Sequence, residues 1–320
     1  MNRSRFLAAS TAGALALRAG AASGQSGDAV PIRIGTPGQQ GNAGVYFADD
    51  LGYFKNAGLA AAITAITSGS GAAVVAAVTG GSLDIGNADL ISISAAREHG
   101  VLVSCIAPGV LWYGAKPTGA IIVSKTSAMR VPRDLEGKTI GVPSIAGLSR
   151  IATDVWLDGL GLNRASVKYV EIPSASVPQA VAHGTIDAAL ITEPTLSLSL
   201  AENRIFASPY DAIARTFVQT AWFGADDWMA RNPRTVRRFA VAIRNAQRWA
   251  NAHPREAVVI FQKHSGQTAE MLRGVTPSHY GEVLDPAQMQ PVLDAAAKYH
   301  AIPRAIGAKE LISGSALDPR

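Results

Sequence analysis

Apolar residues fall in short β-rich runs separated by Gly, Pro and Ser turns, and between them lie stretches with helical spacing. Ile32 to Thr36 predicts a first strand, Gly44 to Asn56 a helix behind a Gly-rich turn, and Ala62 to Thr67 a second strand. A helix, a strand from Leu83 to Ala88, a helix from Leu90 to Glu98 and a strand from Val101 to Ala107 follow. The pattern then repeats: Thr118 to Lys125, Thr139 to Pro143, Val167 to Ile172 and Ile186 to Thr192 read as strands, and Leu148 to Leu160 as a helix. Strands alternating with helices of this length predict an α/β chain with mainly parallel sheets covered on both faces.

One phrase occurs twice. Ala77-Val78-Thr79-Gly80-Gly81-Ser82-Leu83-Asp84 and Ala180-Val181-Ala182-His183-Gly184-Thr185-Ile186-Asp187 lie 103 residues apart. In each copy a helix ends at a Gly that can turn left-handed, and a strand begins at an Asp. Two such corners at a long interval predict two similar lobes with a cleft between them. Thr216 to Phe223 reads as one strand returning to the first lobe, and the rest is mainly helical. Asn232-Pro233 and Asp285-Pro286 open helices, and Gln288 is placed to complete a capping box. Arg237, Arg238, Arg244 and Arg248 form the solvated face of the first of them.

Composition narrows the function classes. The chain has 320 residues, enough for two cores. Its net charge of +5 falls to +2 once Arg3, Arg5 and Arg18 are set aside, which argues against a nucleic-acid partner. Those arginines lie in residues 1–24, which combine a basic start, an apolar run from Phe6 to Leu17 and small residues from Ala19 to Gly24; the segment reads as a signal peptide. No later run reaches the length of a membrane span. Cys105, the single cysteine, sits in an apolar run and reads as a core residue. The six histidines are scattered, so no metal site or other cofactor site is expected. Gly69-Ser70-Gly71 imitates a dinucleotide loop, but Val74 stands where the third glycine is needed.

At Ala48-Asp49-Asp50-Leu51-Gly52-Tyr53-Phe54-Lys55-Asn56-Ala57-Gly58-Leu59 the chain resembles the solute-binding proteins of ABC importers for nitrate, sulfonates, taurine and thiamine-pyrimidine precursors. Further matches run through Gly81 to Gly86, Asp134 to Pro143, Leu160-Gly161-Leu162, and Gly184 to Pro194. The resemblance implies a type 2 periplasmic-binding-protein fold: two α/β lobes joined by a two-strand hinge, with the ligand between them. It implies residues 31–115 with 217–320 as lobe 1 and 118–215 as lobe 2, with crossings near Ala115 to Gly119 and Arg215 to Val218. It further implies an exported, periplasmic, monomeric receptor that performs no reaction, needs no cofactor and serves an ABC permease with its cytoplasmic ATPase. The alternative is an enzyme on the same fold, like the thiamine-pyrimidine-precursor synthases, although Cys105 alone offers no cysteine-rich motif.

Ligands of open α/β sheets sit beyond the C-terminal strand ends, against helix N-termini. That rule nominates Gly38, Gln39, Gln40 and Asn42 after the first strand, Gly69 and Ser70 after the second, and Asn87 and Asp89 after the third. In the second lobe it nominates Ser144, Ala146, Gly147 and Ser149 at the main helix start, and Glu193 after the corner strand. Ser70 and Ser149 read equally well as helix caps. Trp112 and Tyr113 before the crossing, and Trp222 on the return strand, are candidate cleft walls with core packing as the competing reading. Helix starts and hydroxyls suit a small anion such as a sulfonate, with Arg150 available if it faces the cleft. Asp89, Glu193 and the aromatics suit a neutral or cationic group such as a pyrimidine amine.

Overall fold

The computed structural model describes residues 29–66 and 71–317, so the signal-like segment 1–24, Gly69 and Ser70 lie outside the described residues. The first apolar run forms β1 (Val30–Pro37). Between it and β2 (Leu59–Ile66) lie α1 (Gly44–Asp50) and α2 (Tyr53–Asn56), where the sequence predicts one helix. Gly52 divides them because it takes a φ of 74°, a left-handed turn that an uninterrupted helix cannot contain. Next come α3 (Gly71–Thr79), β3 (Ile85–Asp89), α4 (Leu90–Glu98) and β4 (Val103–Pro108). β1 runs parallel to both β2 and β3.

After β5 (Val110–Tyr113) the chain passes into a second sheet. There β6 (Gly119–Ser124), β7 (Thr139–Val142), α5 (Leu148–Gly159), β8 (Lys168–Glu171), α6 (Val177–Ala182), β9 (Ala188–Thr192), α7 (Thr195–Ser199) and β10 (Asn203–Ala207) follow in turn. The sheet order is β10-β6-β9-β7-β8, with β7 parallel to its neighbours and β6 antiparallel to its own. The chain returns through β11 (Thr216–Val218), antiparallel to β5, and β12 (Thr220–Ala225), which lies antiparallel between β3 and β4.

The single strand expected over Thr216 to Phe223 is therefore two, divided at Gln219, whose N–H bonds Val110 and whose carbonyl accepts from Leu90. Both sheets are mixed rather than mainly parallel. A chain that comes back by a short link enters antiparallel, because a parallel entry needs a crossover of about a dozen residues or more.

The first sheet, β2-β1-β3-β12-β4, is covered by α8 (Asp226–Arg231) and α9 (Pro233–Ala252), with α10 (Pro254–Ser265) packed on α9 and α1. On its inner face α9 sets Phe239 against Phe54 and Trp222, with ring centroids 5.8 and 5.7 Å apart. β13 (His279–Tyr280) joins β5 in a small sheet with β11. The last helix, α11 (Pro286–Lys298), starts at Asp285, whose carboxylate accepts the Ala287 N–H. It packs on α4, α5 and β11, touching elements beside both large sheets. Tyr299 Oη and Lys298 Nζ reach Asp158 of α5, while Arg304 pairs with Glu98 of α4. An apolar cluster accordingly runs from Leu90 through Phe217 and Val292 to Ile151.

The repeated phrase builds the same object twice. Gly81 and Gly184 take φ of 74° and 73°. Ser82 and Leu83 both donate to the Ala77 carbonyl, and Thr185 and Ile186 both to that of Ala180. Each aspartate then grips the neighbouring strand. Asp84 accepts the Arg33 N–H at 2.8 Å while its own N–H returns to the Arg33 carbonyl; Asp187 does the same with Thr139, at 2.9 Å. The Arg33 guanidinium adds contacts of 2.7 and 3.1 Å to Asp84, whereas Lys138 stands 3.6 Å from Asp187.

The two corners should differ in strength. The Asp84 side chain is 10% exposed and that of Asp187 39%, and Asp84 also holds the Arg33 guanidinium, so Asp84→Ala removes the better-buried acceptor and more bonds. Urea unfolding should give a loss of about 1–3 kcal/mol for Asp84→Ala and about 0.5–1.5 kcal/mol for Asp187→Ala. The reverse order would contradict the shared role assigned to the two aspartates.

Candidate functional site

The corners aim the C-terminal ends of β1, β3, β7 and β9 at one another, and a cavity of about 140 Å³ lies between them. Pro37, Gln39, Gly41 and Asn42 contribute from the loop after β1, with Ala88 and Asp89 from the end of β3. Ser144, Gly147 and Ser149 face them from the start of α5, and Thr192 and Glu193 from the end of β9. Val110, Thr118, Gln219 and Thr220 floor the cleft where the chain passes between the sheets.

On the first-sheet side, Asn42 is nearly buried and its Nδ2 donates to Asn87 Oδ1 at 2.5 Å. Asn87 is fully buried behind it, supporting Asn42 rather than lining the cleft, and its own Nδ2 has no acceptor among the described residues. Asp89 caps α4, accepting the Ser92 N–H at 3.0 Å and its hydroxyl at 2.6 Å. Burial outweighs these bonds and raises the Asp89 pKa above the usual carboxylate range. Gly71 opens α3 hard against this carboxylate: a Cβ there would lie 2.8 Å from Asp89 Oδ2, so the approach requires glycine.

On the second-sheet side, α5 begins at Gly147, which has no side chain to cap the first-turn N–H groups, so they open toward the cleft. Ser149 Oγ lies 3.0 Å from Tyr210 Oη. Glu193 is only 3% exposed. Its carboxylate accepts the Ser197 N–H at 3.1 Å, the Ser197 hydroxyl at 2.8 Å and the Thr276 N–H at 3.2 Å. Thr276 belongs to the segment between α10 and β13, which is tied to the first-sheet side by buried Val275 and by the Ser278 hydroxyl on Gln40 Oε1. Glu193 therefore spans the cleft.

Several expected residues stand elsewhere. Gln40 turns inward, bonded through its side chain to Ser278 and through its carbonyl to Tyr280. Trp112 is fully buried, donating to Asp211 at 2.9 Å and packing 5.0 Å from Tyr210, and Trp222 is fully buried on Phe239. Strand alternation puts Tyr113 on the opposite face from Trp112, exposed beside His279. Gly38 and Ala146 are exposed outside the cavity lining. Arg150 pairs with Asp154 at 2.9 Å and so brings no charge to the cleft. The carboxylates Asp89 and Glu193 face a lining that, among the described residues, contains no Lys, Arg, His or Cys.

Tyr210, Thr118, Gln219, Thr220 and Ser278 line the cleft without having been predicted. Gln219-Thr220 left a signal, as a polar pair inside an otherwise apolar strand-like run. Tyr210, in the short 3-10 turn Pro209–Ala212, and Ser278, in a loop, left none; tertiary folding brings them in.

The family model described as NMT1/THI5 like matches residues 39–257. A Brucella abortus protein that bears a binding-protein name is 27% identical over 259 residues, covering 74% of this chain and 72% of that protein. The fold resembles the periplasmic aliphatic sulphonate binding protein SsuA of Escherichia coli, with a TM-score of 0.70 at 17% identity over 91% of this chain and 94% of that one. It also resembles the ligand-binding component of an ABC-type import system from Staphylococcus aureus, with a TM-score of 0.77 at 14% identity over 89% and 97% of the two chains. The nitrate-binding protein NrtA of Synechocystis gives 0.71 at 12% identity over 90% and 87%. These likenesses give the two-lobe periplasmic-binding-protein fold.

The separation of wall from core is testable. Trp222→Ala should cost about 3–5 kcal/mol in chemical denaturation, whereas Gln39→Ala, at a partly exposed position, should leave stability within about 0.5 kcal/mol. Equal losses would refute the assignment of Trp222 to the core and Gln39 to the cleft.

Proposed function

The chain belongs to the NMT1/THI5-like family, and from that premise we propose that it is the solute-binding receptor of an ABC import system, holding a small organic solute in the cleft between its sheets. The observation that carries this reading is the cleft itself: hydroxyls, amides and two carboxylates converge on one cavity from the ends of strands in both sheets. An apolar cavity of about 150 Å³ holds a benzene-sized molecule, so the space of about 140 Å³ suits a solute of roughly one ring.

In this reading residues 31–115 with 217–320 form lobe 1 and residues 118–215 form lobe 2. The two crossings between sheets, near 115–119 and 215–218, absorb the rotation of one lobe on the other. Closure is driven by contacts available only when the lobes meet, such as Glu193 with Thr276. The closed form is what a membrane permease, powered by its ATPase, recognises. Residues 1–24 direct export to the periplasm, where the receptor works as a monomer. No helix of the described residues is long and apolar enough to cross a membrane.

A binding role also suits the nucleophile inventory. Cys105 is buried in β4, its thiol pushed up to about 12 by burial, and it does not line the cleft. Such a thiol is inert at neutral pH.

A solute that binds the folded state at about 100 times its Kd should add about 2.7 kcal/mol of stability. Thermal melting checks this, and X-ray scattering of the same samples should report a smaller radius of gyration. Consumption of the solute with release of a product, or stabilisation with no compaction, would argue for a different activity.

A further inference from the structure

We propose that the end of the first sheet opposite the cleft is a docking surface for an anionic lipid bilayer, with Arg234, Arg237, Arg238 and Lys55 meeting the headgroups and Leu102 entering the interface beside them. The placement follows from strand direction. β12 runs antiparallel to β3 and β4, so its last residue, Ala225, pairs with Val103, the first of β4, at the end of the sheet away from the cavity. α8 and the first turns of α9 start there, and Arg238 Nη1 reaches the loop before β2, 3.6 Å from where a Cβ on Gly58 would stand. α9 then runs toward the cleft, where Gln247 donates to the Pro108 carbonyl at the far end of β4.

Charge at this end is unbalanced. Asp84 is paired with Arg33, Asp226 with Arg97, Asp227 with Arg231 and Asp50 with Lys263. Arg234, Arg237, Arg238 and Lys55 are exposed and form no ion pair among the described residues, while Asp49, exposed at the end of α1, is the carboxylate that remains on this side. Helix stability does not account for the arginines. Arg234 stands in the first turn of α9, where the helix dipole disfavours a cation; that turn holds no acidic residue, and the Asn232 side chain does not cap it.

A bilayer is favoured over an acidic protein by the apolar residue set beside these cations. Leu102 is 66% exposed, more than any other large apolar side chain of the described residues. Its carbonyl accepts the Asp226 N–H, which seats it at the start of α8. Half-buried Trp228 follows in α8, and its carbonyl accepts from Asn232 at the head of α9, so leucine, indole and arginines share one surface. Arginines around a protruding leucine, with a tryptophan at its base, match the headgroup level of a bilayer, where charge stays in water and apolar groups sink below it. The cavity lies at the other end of the strands, so a docked molecule keeps its cleft in water, whichever solute it holds.

The test is co-sedimentation of the mature protein with vesicles of phosphatidylcholine, alone or mixed with phosphatidylglycerol. Binding should require phosphatidylglycerol and fall as salt is raised. The combined substitution Arg234→Gln, Arg237→Gln and Arg238→Gln should weaken it about a hundredfold, at about fivefold for each cation near an anionic surface. Its melting temperature should stay at or above that of the parent, because a cation leaves the start of a helix. Leu102→Ser changes no charge and should weaken vesicle binding about tenfold. Failure to sediment with either vesicle at low salt, equal binding to phosphatidylcholine alone, or binding that the arginine substitutions leave unchanged would overturn the proposal. Binding that Leu102→Ser leaves unchanged and that polyglutamate abolishes would also overturn it, and would assign the arginines to an acidic protein instead.

Discussion

The architecture depends on one constraint used twice: an aspartate that follows a left-handed glycine and ties the start of one strand to the N–H of its neighbour. Asp84 fixes β3 against β1, and Asp187 fixes β9 against β7. Because strand side chains alternate with a period of two, a slip of one residue at either corner would turn the far end of the strand over. Ala88-Asp89 and Thr192-Glu193 would then exchange faces, and the cleft would lose its carboxylates. The corners lie at the opposite end of their strands from the cavity, so scaffold and site are separated along each strand and can vary independently.

The cleft is made of what those corners deliver, together with the crossings between sheets. Gly71 and Gly147 let backbone come close where a side chain would fill the space or cap a helix. Buried Asn87 stands behind Asn42, and Tyr210 lies beside Ser149 in the cleft wall; each meets its neighbour's polar atom. Away from the cleft, α11 bridges α4, α5 and β11, with Asp158 on one side and Glu98 on the other.

Much of this was legible in the sequence because local chemistry dictates it. The glycine and aspartate of each corner, the alternation of strands and helices, and the family phrase around Gly52-Tyr53-Phe54 require no tertiary knowledge. Strand-end logic also nominated Gln39, Asn42, Asp89, Ser144, Gly147, Ser149 and Glu193, all of which line one cavity. It failed where burial depends on partners remote in sequence. Trp112 and Trp222 carry the surface of cleft walls and the environment of core residues, and only the packing of Tyr210 and Phe239 decides between the two. Gln40 and Asn87 are polar residues turned inward by bonds to Ser278 and Asn42. The mixed sheets were missed because the direction of β12 is set by where the chain returns, not by its own residues.

In the proposed receptor the strand ends hold the solute while the corners only support them. Hydrogen exchange of the mature protein, with and without the tightest-binding solute, distinguishes these roles. Protection should rise at the first turn of α5, at Ser197 and at Thr276, the N–H groups around the cleft, and stay unchanged at Asp84 and Asp187. Protection confined to the corners, or to the α5 and α11 contact around Asp158, would contradict the account.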